Sequence, residues 1–443
     1  MRARTTGCQL LLVLLAISGG TAGSAPTFSK DVAPLLYLHC ATCHHPNDIA
    51  PMSLLTYEEA RPWAAAIREA VLTRKMPPWH ADSRFGHFSN DARLSESEIA
   101  VLDAWAKSGA KQGDPHDLPP APHFEEGWHI KPDYVATIPE ANLAESKDSD
   151  KYVYVYVATP FKEDKWIQAA EVLPGNRRIV HHATVSIMPP GTKLGVESKQ
   201  GDKYRYTTGG VLHIRPEVPI QNDGCTLPGG GALPGEEPDP IRVPGIYLPG
   251  HMPEIRPAGF ALKLPAGSVL EFQIHYHNRT GSTLPDRTSI GFVFAPTPLV
   301  HEVKQYEIWN NMFELPPGAA NARVTSCYTL DRDVQALAYT AHMHYRGKSM
   351  MTEAIYPDGR RETLFSVPKY DFRWQETYFL KQPQPLPKGT RLVTTAYLDN
   401  SPNNPLNPDP ARTIRWGEPS DEEMVGFWLQ FTEAGQDSRA SIK

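Results

Sequence analysis

The segment Cys40-Ala41-Thr42-Cys43-His44 constrains this chain more than any other feature of its sequence. Two cysteines separated by two residues and followed at once by a histidine have the spacing at which c-type haem is attached. The thiolates add to the haem vinyl groups, and the histidine reaches the iron. A chance pair of cysteines, a redox pair or a disulfide needs no following histidine. The segment therefore predicts one covalent haem c held by Cys40, Cys43 and His44.

Residues 1–25 have the pattern of a secretory signal peptide. Arg2 and Arg4 precede an apolar run over residues 10–17, and small residues follow to about Ala25. Cys8 lies before the run and leaves with the signal. No later segment reaches the roughly 18 apolar residues of a membrane span. We therefore expect a soluble mature protein in a bacterial periplasm or outside the cell.

Net charge bears on whether the protein binds nucleic acid, and the remaining cysteines bear on whether it contains a disulfide. The net charge is −6 and there is no run of Lys or Arg, so nucleic acid is not an expected partner. Cys225 and Cys327 are left once the haem cysteines and Cys8 are set aside. In an oxidising compartment, a disulfide between them is the default expectation.

Residues 26–115 are predicted to be helical. A periodic stretch opens at Thr56 and runs through Leu72, and Ser95 with Glu98 forms a capping box for a helix that ends at Lys107. This segment resembles class I cytochromes c.

A haem iron needs a second axial ligand, and Met76 is the preferred candidate. Two prolines follow it and hold the loop extended, so that a thioether is presented rigidly. Met76 also matches the Met-Pro-Pro ligand loop of the cytochromes that the segment resembles. Met52 is the second choice, and His80 and His87 are less favoured.

The character of the sequence changes after a Pro-rich linker at residues 116–132. Residues 152–157, 270–277 and 425–431 alternate apolar and polar side chains, and residues 356–360 (Tyr-Pro-Asp-Gly-Arg) predict a hairpin turn. We expect two all-β antiparallel sandwich domains, jelly-roll-like, over residues 133–298 and 299–443. A Gly/Pro-rich insert at residues 207–250 is expected to be a long loop.

Several histidines stand away from the predicted core faces. His275 and His277 lie opposite the apolar face of their strand, and His342 and His344 share one face of another. A His-x-His pair on a strand is a preorganised two-point ligand for a transition metal. His213, His251 and His301 are expected to be ordinary surface or core residues.

Two further patterns strengthen the metal interpretation. Met424 lies off the core face of its strand, and a thioether there suits Cu(I). The adjacent His181 and His182 diverge on a regular strand and need a bulge or an edge position to share a metal.

In chain order, these features resemble the copper type II ascorbate-dependent monooxygenases, the peptidylglycine α-hydroxylating and dopamine β-monooxygenase group. His181-His182 is similar to that family's His-His pair, and Gln273-Ile274-His275-Tyr276 to its Gln-x-His-Tyr strand. His342-Met343-His344 is similar to its His-x-His pair, and the Asp-Glu-Glu-Met segment ending at Met424 to its Asp-Glu-Met segment. The resemblance selects His275 rather than His277.

The resemblance implies two copper ions that face each other across a cleft between the sandwiches. One, held by His181, His182 and His275, transfers an electron. The other, held by His342, His344 and Met424, binds and activates O2, so these three residues are the expected catalytic ligands. Two departures argue against a peptidylglycine substrate: Thr340 stands where the peptide-amidating enzymes have arginine, and Trp428 where they have tyrosine.

These observations predict an exported haem c-linked copper monooxygenase that hydroxylates a C–H bond of a small organic substrate with O2. Its electrons come from an ascorbate-like reductant or a periplasmic redox protein and pass through the haem. The alternative is a non-catalytic copper and haem electron-transfer protein on the same fold. A third possibility is a zinc hydrolase built on histidine triads.

Overall fold

The structure, a computed structural model, describes residues 25–46, 50–124, 127–143, 151–192, 199–201, 204–208, 221–226, 243–248, 253–278, 280–296, 301–417 and 420–435. Residues 1–24 of the predicted signal, including Cys8, lie outside these ranges. His213, His251 and the predicted domain boundary near residue 298 also lie outside them.

Among the described residues, four α-helices lie in the first quarter of the chain: α1 (Ala33–His39), α2 (Tyr57–Ala60), α3 (Ala64–Leu72) and α4 (Glu96–Lys107). Both predicted helix starts are confirmed, because Thr56 and Ser95 each form a complete capping box with the glutamate three residues on. Such a cap stabilises a helix by about 1 kcal/mol. The helices enclose a small apolar core that includes Phe28, Leu36 and Trp105.

Most of the remaining chain forms β-sheet, in agreement with the predicted sandwich architecture. Strands are numbered along the chain. One nine-stranded sheet contains β1 (Tyr134–Thr137), β4 (Lys165–Leu173), β9 (Glu254–Ile255), β10 (Phe260–Leu264), β13 (Ser289–Phe294), β14 (His301–Trp309), β17 (Val334–Met343), β20 (Thr377–Leu386) and β23 (Val425–Glu433). Its order is β1-β13-β4-β10-β14-β23-β17-β20, with β9 beside β4.

Two smaller sheets cover the two ends of this sheet. A six-stranded sheet contains β3 (Lys151–Ala158), β5 (Val180–Met188), β6 (Lys199–Gly201), β7 (Tyr204–Thr208), β8 (Gly245–Tyr247) and β11 (Val269–Tyr276). A four-stranded sheet contains β16 (Ala322–Thr329), β18 (Gly347–Ile355), β19 (Arg361–Val367) and β21 (Arg391–Leu398). Two short pairs complete the set: β2 (Ala141–Leu143) with β12 (Leu284–Asp286), and β15 (Glu314–Leu315) with β22 (Ile414–Arg415).

The long sheet is shared by both halves of the β-region. Its strands β10 and β14 pair in parallel, and this contact joins the part built before residue 297 to the part built after residue 300. Each half has its own apolar core. The first core includes Phe272 and Phe292 and the second includes Phe365 and Phe427. The result is two sandwiches with one continuous sheet.

Three local features have direct counterparts in the predictions. The predicted hairpin connects β18 to β19, and Gly359 adopts the positive φ of 85° that its turn requires. Cys225 and Cys327 form the expected disulfide, with Cα atoms 5.0 Å apart. The insert at residues 207–250 is not only a loop, because it contributes β8, which pairs with β5.

The segment at residues 79–93, here called the strap, ties the helices to the second sandwich. Phe88 forms an antiparallel bridge with Leu380 of β20 and is 4% exposed in that sandwich's core. The Asn90 amide donates to Thr377 O at 2.7 Å and accepts from Phe379 N at 3.0 Å. The strap thus extends the long sheet beyond its last strand. No helix among the described residues combines the length and apolar character needed to cross a membrane.

Candidate functional site

Three histidines converge on the six-stranded sheet. His182 and His275 are directly opposite on β5 and β11, and the register shifts by one residue so that Tyr276 pairs with Val180. His181 is the extra residue in this bulge, which turns its ring toward the other two. A bulge is one of the two arrangements expected for this pair, the other being an edge position. It re-aims a side chain that regular pleating would send to the opposite face.

The spacing of the three rings fits a metal ion. His182 Nδ1 lies 3.3 Å from His181 Nδ1 and 3.3 Å from His275 Nδ1. A metal bound by imidazole nitrogens at about 2.0–2.1 Å with tetrahedral angles holds those nitrogens about 3.3–3.4 Å apart. These three residues are here called the three-His cluster. His277 is exposed, and its ring centre is 6.4 Å from that of His181, outside the cluster.

Burial favours the neutral, ligand form of His182. It lowers the pKa of His182 well below its usual value, and the neighbouring His275 and His181 lower it further. A neutral imidazole offers a lone pair, which a metal ion requires. Tyr152 stacks on the His275 ring at 4.4 Å and contacts Ser420 Oγ through its hydroxyl at 2.9 Å. This contact joins the first sandwich to the segment that precedes Met424.

His342 and His344 lie at the end of β17, on the long sheet. Their ring centres are 5.3 Å apart, and His344 is 3% exposed. Strand β23 pairs with β17 so that Met343 faces Val425 and His342 faces Gly426. Continuing this register places Met424 beside His344, on the face that carries both imidazoles. We call these three residues the His-His-Met group.

Gln375 fixes the orientation of His342. Its Oε1 is 2.5 Å from His342 Nδ1, and its Nε2 donates to Phe372 O at 3.2 Å. Because the amide nitrogen is used on a carbonyl, the amide oxygen must accept, and His342 Nδ1 must carry the proton. Nε2 of His342 is then the atom available to a metal. Burial lowers the pKa of His342 to about 4, against the raising effect of Gln375.

Glu423 holds the backbone around the other two members. Its carboxylate accepts from the backbone N–H groups of His344, Arg346 and Met424. Burial raises its pKa to about 7, while these three donors and the Arg346 cation lower it. The side chain is completely buried. One carboxylate therefore connects the turn after β17 to the start of β23, where His344 and Met424 lie.

Two aromatic rings pack against His342. Trp428 stacks on its ring at 5.4 Å, and Trp309 meets it edge-on at 5.7 Å. Gly426 is required beneath Trp309, since a Cβ there would lie 2.1 Å from that ring. Thr340 hydrogen-bonds Thr377 at 3.0 Å between their hydroxyls. At the two positions that distinguish the chain from the peptide-amidating enzymes, the structure thus has a ring packed on His342 and a hydroxyl used within the sheet.

Phe372 lies between the two groups of histidines. Its ring is stacked toward His181 at 6.2 Å and meets His344 edge-on at 5.8 Å. His342 and His344 also lower the pKa of His182 through their charge, which places the two groups in one electrostatic environment. Phe372, 3% exposed, therefore contacts one histidine of the three-His cluster and one of the His-His-Met group.

The predicted haem attachment segment, residues 40–44, begins where α1 ends. Cys40 caps that helix, and His44 N donates to Cys40 O at 2.9 Å. His44 Nδ1 is 3.2 Å from Met52 O, which leaves Nε2 to face an iron. Met76 follows α3, is half-buried, and precedes a cis peptide bond to Pro77. Pro77 and Pro78 line the same cavity as Cys43.

The two less favoured histidines lie against the long sheet. His80 is close enough to Asp371 for that charge to raise its pKa, although burial lowers the pKa overall. His87 O accepts from Lys381 N at 2.8 Å. His301 begins β14 and packs on Phe260 at 4.7 Å, in keeping with its expected ordinary role. Sequence reasoning missed Gln375, Phe372 and Tyr152, whose residue types carry no motif of their own. Glu423 lies within the Asp-Glu-Glu-Met segment, but no role was predicted for it.

Comparison with known proteins gives one family match. Residues 311–439 match the model of the copper type II ascorbate-dependent monooxygenase C-terminal domain, a range that contains the whole His-His-Met group. This part of the chain is therefore similar to a copper oxygenase domain, which indicates a copper monooxygenase-like function. No curated protein matches the chain.

Solved structures give only weak likenesses. The crystal structure of the STIV MCP is 10% identical and covers 70% of this chain and 99% of its own, with a TM-score of 0.25. A Sulfolobus Turreted Icosahedral Virus structure is 7% identical, covering 60% and 89%, with a TM-score of 0.18. A structure of infectious bursal disease virus Gx strain is 8% identical, covering 71% and 76%, with a TM-score of 0.18. Scores this low carry no conclusion about fold or function.

Proposed function

We propose that this protein is an exported copper-dependent monooxygenase that hydroxylates a C–H bond of a small organic substrate with O2, and that its helical segment holds haem c as an electron source. The observation that carries the proposal is the pair of facing donor sets on either side of Phe372. One consists of three imidazoles, and the other of two imidazoles with a thioether. The family match over residues 311–439 supports the second set independently.

Each donor set suits copper. Imidazole binds copper in both oxidation states, and a thioether favours Cu(I). Copper and haem c, when bound, supply one-electron transfer, and copper also supplies the activation of O2. His181, His182 and His275 would hold one ion, and His342, His344 and Met424 the other. Cys40, Cys43 and His44 would hold the haem, with Met76 as the proposed second axial ligand.

The chain's own residues prepare this chemistry in three ways. Gln375 fixes the tautomer of His342, and Glu423 fixes the backbone that carries His344 and Met424. Trp309 and Trp428 exclude water from one side of His342. With Thr340 hydrogen-bonded to Thr377, that position offers no cation to a substrate carboxylate. We therefore favour an uncharged or aromatic substrate over a peptide that ends in glycine.

Metal content is the first test. Full-length protein purified from the periplasm should contain two copper ions and one haem iron per chain. Stoichiometric zinc in place of copper would contradict the proposal and favour a hydrolase. A haem detected by its absorbance in alkaline pyridine should disappear in Cys40→Ala/Cys43→Ala.

Substrate-dependent O2 uptake is the second test. The copper-loaded protein, given an ascorbate-type reductant, should consume O2 faster with some members of a panel of small organic compounds. Met424→Ala should lose this uptake, whereas Met351→Ala, a half-buried methionine on β18, should retain it. An electron carrier would form no product in any variant and would keep haem–copper electron exchange without Met424.

A further inference from the structure

A cavity of about 530 Å³ lies between the helical segment and the long sheet. From the helical side it is lined by Thr42 and Cys43, the last cysteine of the haem attachment segment, and by Pro77 and Pro78. From the sheet it is lined by residues that include Thr377, Phe379 and Gln430. The haem attachment segment therefore faces the long sheet directly.

The cavity opens on the same face of the sheet as His342. Across strands β20, β17 and β23, Phe379, Ala338 and Gln430 form one row, and Thr377, Thr340 and Trp428 form the next. His342 and Gly426 form the row after that. Side chains two residues apart on a strand share a face and lie about 7 Å apart along it. Thr377, which borders the cavity, thus occupies the row next to His342.

A short series of contacts connects the cavity to His342. Thr377 lines the cavity and hydrogen-bonds Thr340, and both are buried, at 3% and 5% exposed. Two residues before Thr377, Gln375 contacts His342 at 2.5 Å. The route from the cavity to a member of the His-His-Met group therefore consists of two backbone steps and one hydrogen bond.

The strap fixes the position of the helical segment relative to β20. Its Asn90 bonds Thr377 and Phe379, Ser89 N donates to Phe379 O at 2.7 Å, and Lys381 N donates to His87 O at 2.8 Å. These contacts hold the helical segment against β20, the strand that bears Thr377. A fixed distance favours a defined electron-transfer step over one that waits for domain movement.

The three-His cluster has no equivalent connection to this cavity. It lies on β5 and β11 of the six-stranded sheet. Among the described residues that line the cavity, none belongs to that sheet. From the haem attachment segment, the His-His-Met group is therefore reached across one strand of the long sheet, whereas the three-His cluster lies beyond Phe372.

We propose that Thr377, Thr340 and Gln375 form the contact through which a haem held at Cys40 and Cys43 would pass an electron across β20 directly to a copper ion held by the His-His-Met group, without using the three-His cluster. This inference rests on the proposed function. In the step, ferrous haem is oxidised to ferric haem and Cu(II) is reduced to Cu(I). One electron moves, and no covalent bond is made or broken. The three-His copper then serves as the source of a different electron, supplied by another donor.

The test follows the haem absorbance in the full-length, haem-loaded and Cu(II)-loaded protein. Without O2 or substrate, a brief flash excites an added photosensitiser that reduces the ferric haem by one electron and is itself restored by a sacrificial donor. The ferrous band then decays as the electron leaves the haem. His181→Ala/His182→Ala, which removes the three-His cluster, should keep the decay rate of the unaltered protein. His342→Ala/His344→Ala should lose the decay. Unaltered protein loaded with Zn(II), which cannot accept an electron, is a folded control in which the decay must be absent.

The outcomes distinguish a failure of this inference from a failure of the proposed function. Haem and copper per chain are measured first in the unaltered protein, and their absence there contradicts the proposed function itself. If both groups are bound but the decay is lost in His181→Ala/His182→Ala, the electron enters through the three-His cluster and this inference is wrong. The inference is also overturned if the ferrous band does not decay in the unaltered copper-loaded protein, or if it still decays in His342→Ala/His344→Ala.

Discussion

Replacing Gln375 by leucine tests the most specific contact in the His-His-Met group. The amide oxygen of Gln375 is 2.5 Å from His342 Nδ1, and its nitrogen is anchored on Phe372 O. Leucine keeps a similar volume but removes the acceptor that fixes the His342 tautomer. Outer partners of this kind contribute about 10- to 100-fold to metal affinity. We therefore expect copper binding at this group to weaken by about 1.4–2.7 kcal/mol in Gln375→Leu.

The assay is a competition between the protein and a Cu(I) chelator of known affinity. It is done on the His181→Ala/His182→Ala background, so that only the His-His-Met group takes up copper. Gln375→Glu is the matched control, because its carboxylate can still accept from Nδ1 and should retain most of the affinity. An unchanged affinity in Gln375→Leu would show that the hydrogen bond does not prepare His342 for metal, and the reasoning would be refuted. Equal losses in the leucine and glutamate variants would point to packing instead.

Three further predictions concern stability. In the unaltered protein, three backbone N–H groups donate to the Glu423 carboxylate, and Glu423→Gln would place an amide NH2 against some of them. We therefore expect the free energy of unfolding, measured in urea, to fall by about 1–3 kcal/mol. An unchanged urea midpoint would contradict the role given to Glu423. Cys225→Ala/Cys327→Ala opens a link between residues 102 apart in sequence, and the chain-entropy relation gives a loss of up to about 4.7 kcal/mol, to be measured under non-reducing conditions against the unaltered protein. A loss below about 1 kcal/mol would show that other contacts of residues 221–226 already hold this segment. Burial raises the pKa of Glu376 from 4.5 to about 7, so the folded state binds more protons between these values and stability falls as pH rises through them. Glu376→Gln should therefore be more stable relative to the unaltered protein at about pH 8 than at about pH 5, and an equal difference at both pH values would exclude a raised pKa.

Strand alternation predicted much of the β-region because it reports local burial. In residues 425–431 every second residue faces the core, and Val425, Phe427, Leu429 and Phe431 are completely buried. The capping boxes at Thr56 and Ser95 were equally predictable, since all the residues that form them lie within four positions. Periodicity contains no information about which strands meet. The parallel β10–β14 pair, which makes one sheet of two halves, could not be deduced from it.

The strap shows a second limit of local reasoning. Residues 79–93 were assigned to the helical segment by their position in the chain, yet Trp79 and Phe88 pack in the core of the second sandwich. Their apolar side chains predict burial but not the partner, because that partner, around Tyr378, lies about three hundred residues further along the chain. The contact bears on the proposed function, since it brings the predicted haem attachment segment against β20.

The candidate metal ligands were visible in the sequence, whereas the residues that organise them were not. Histidine pairs and an off-face methionine are chemically unusual on strands, so their pattern stands out from an ordinary core. Tyr370, Phe372 and Gln375 are common residue types in an irregular segment between β19 and β20. Yet Tyr370 hydrogen-bonds both backbone groups of Met343, Phe372 packs between the two histidine groups, and Gln375 orients His342. A single loop therefore sets the tautomer of one ligand, the backbone beside it and the separation of the two donor sets. Substitutions in this loop should alter metal binding at both the three-His cluster and the His-His-Met group, although the loop contains none of the candidate ligands.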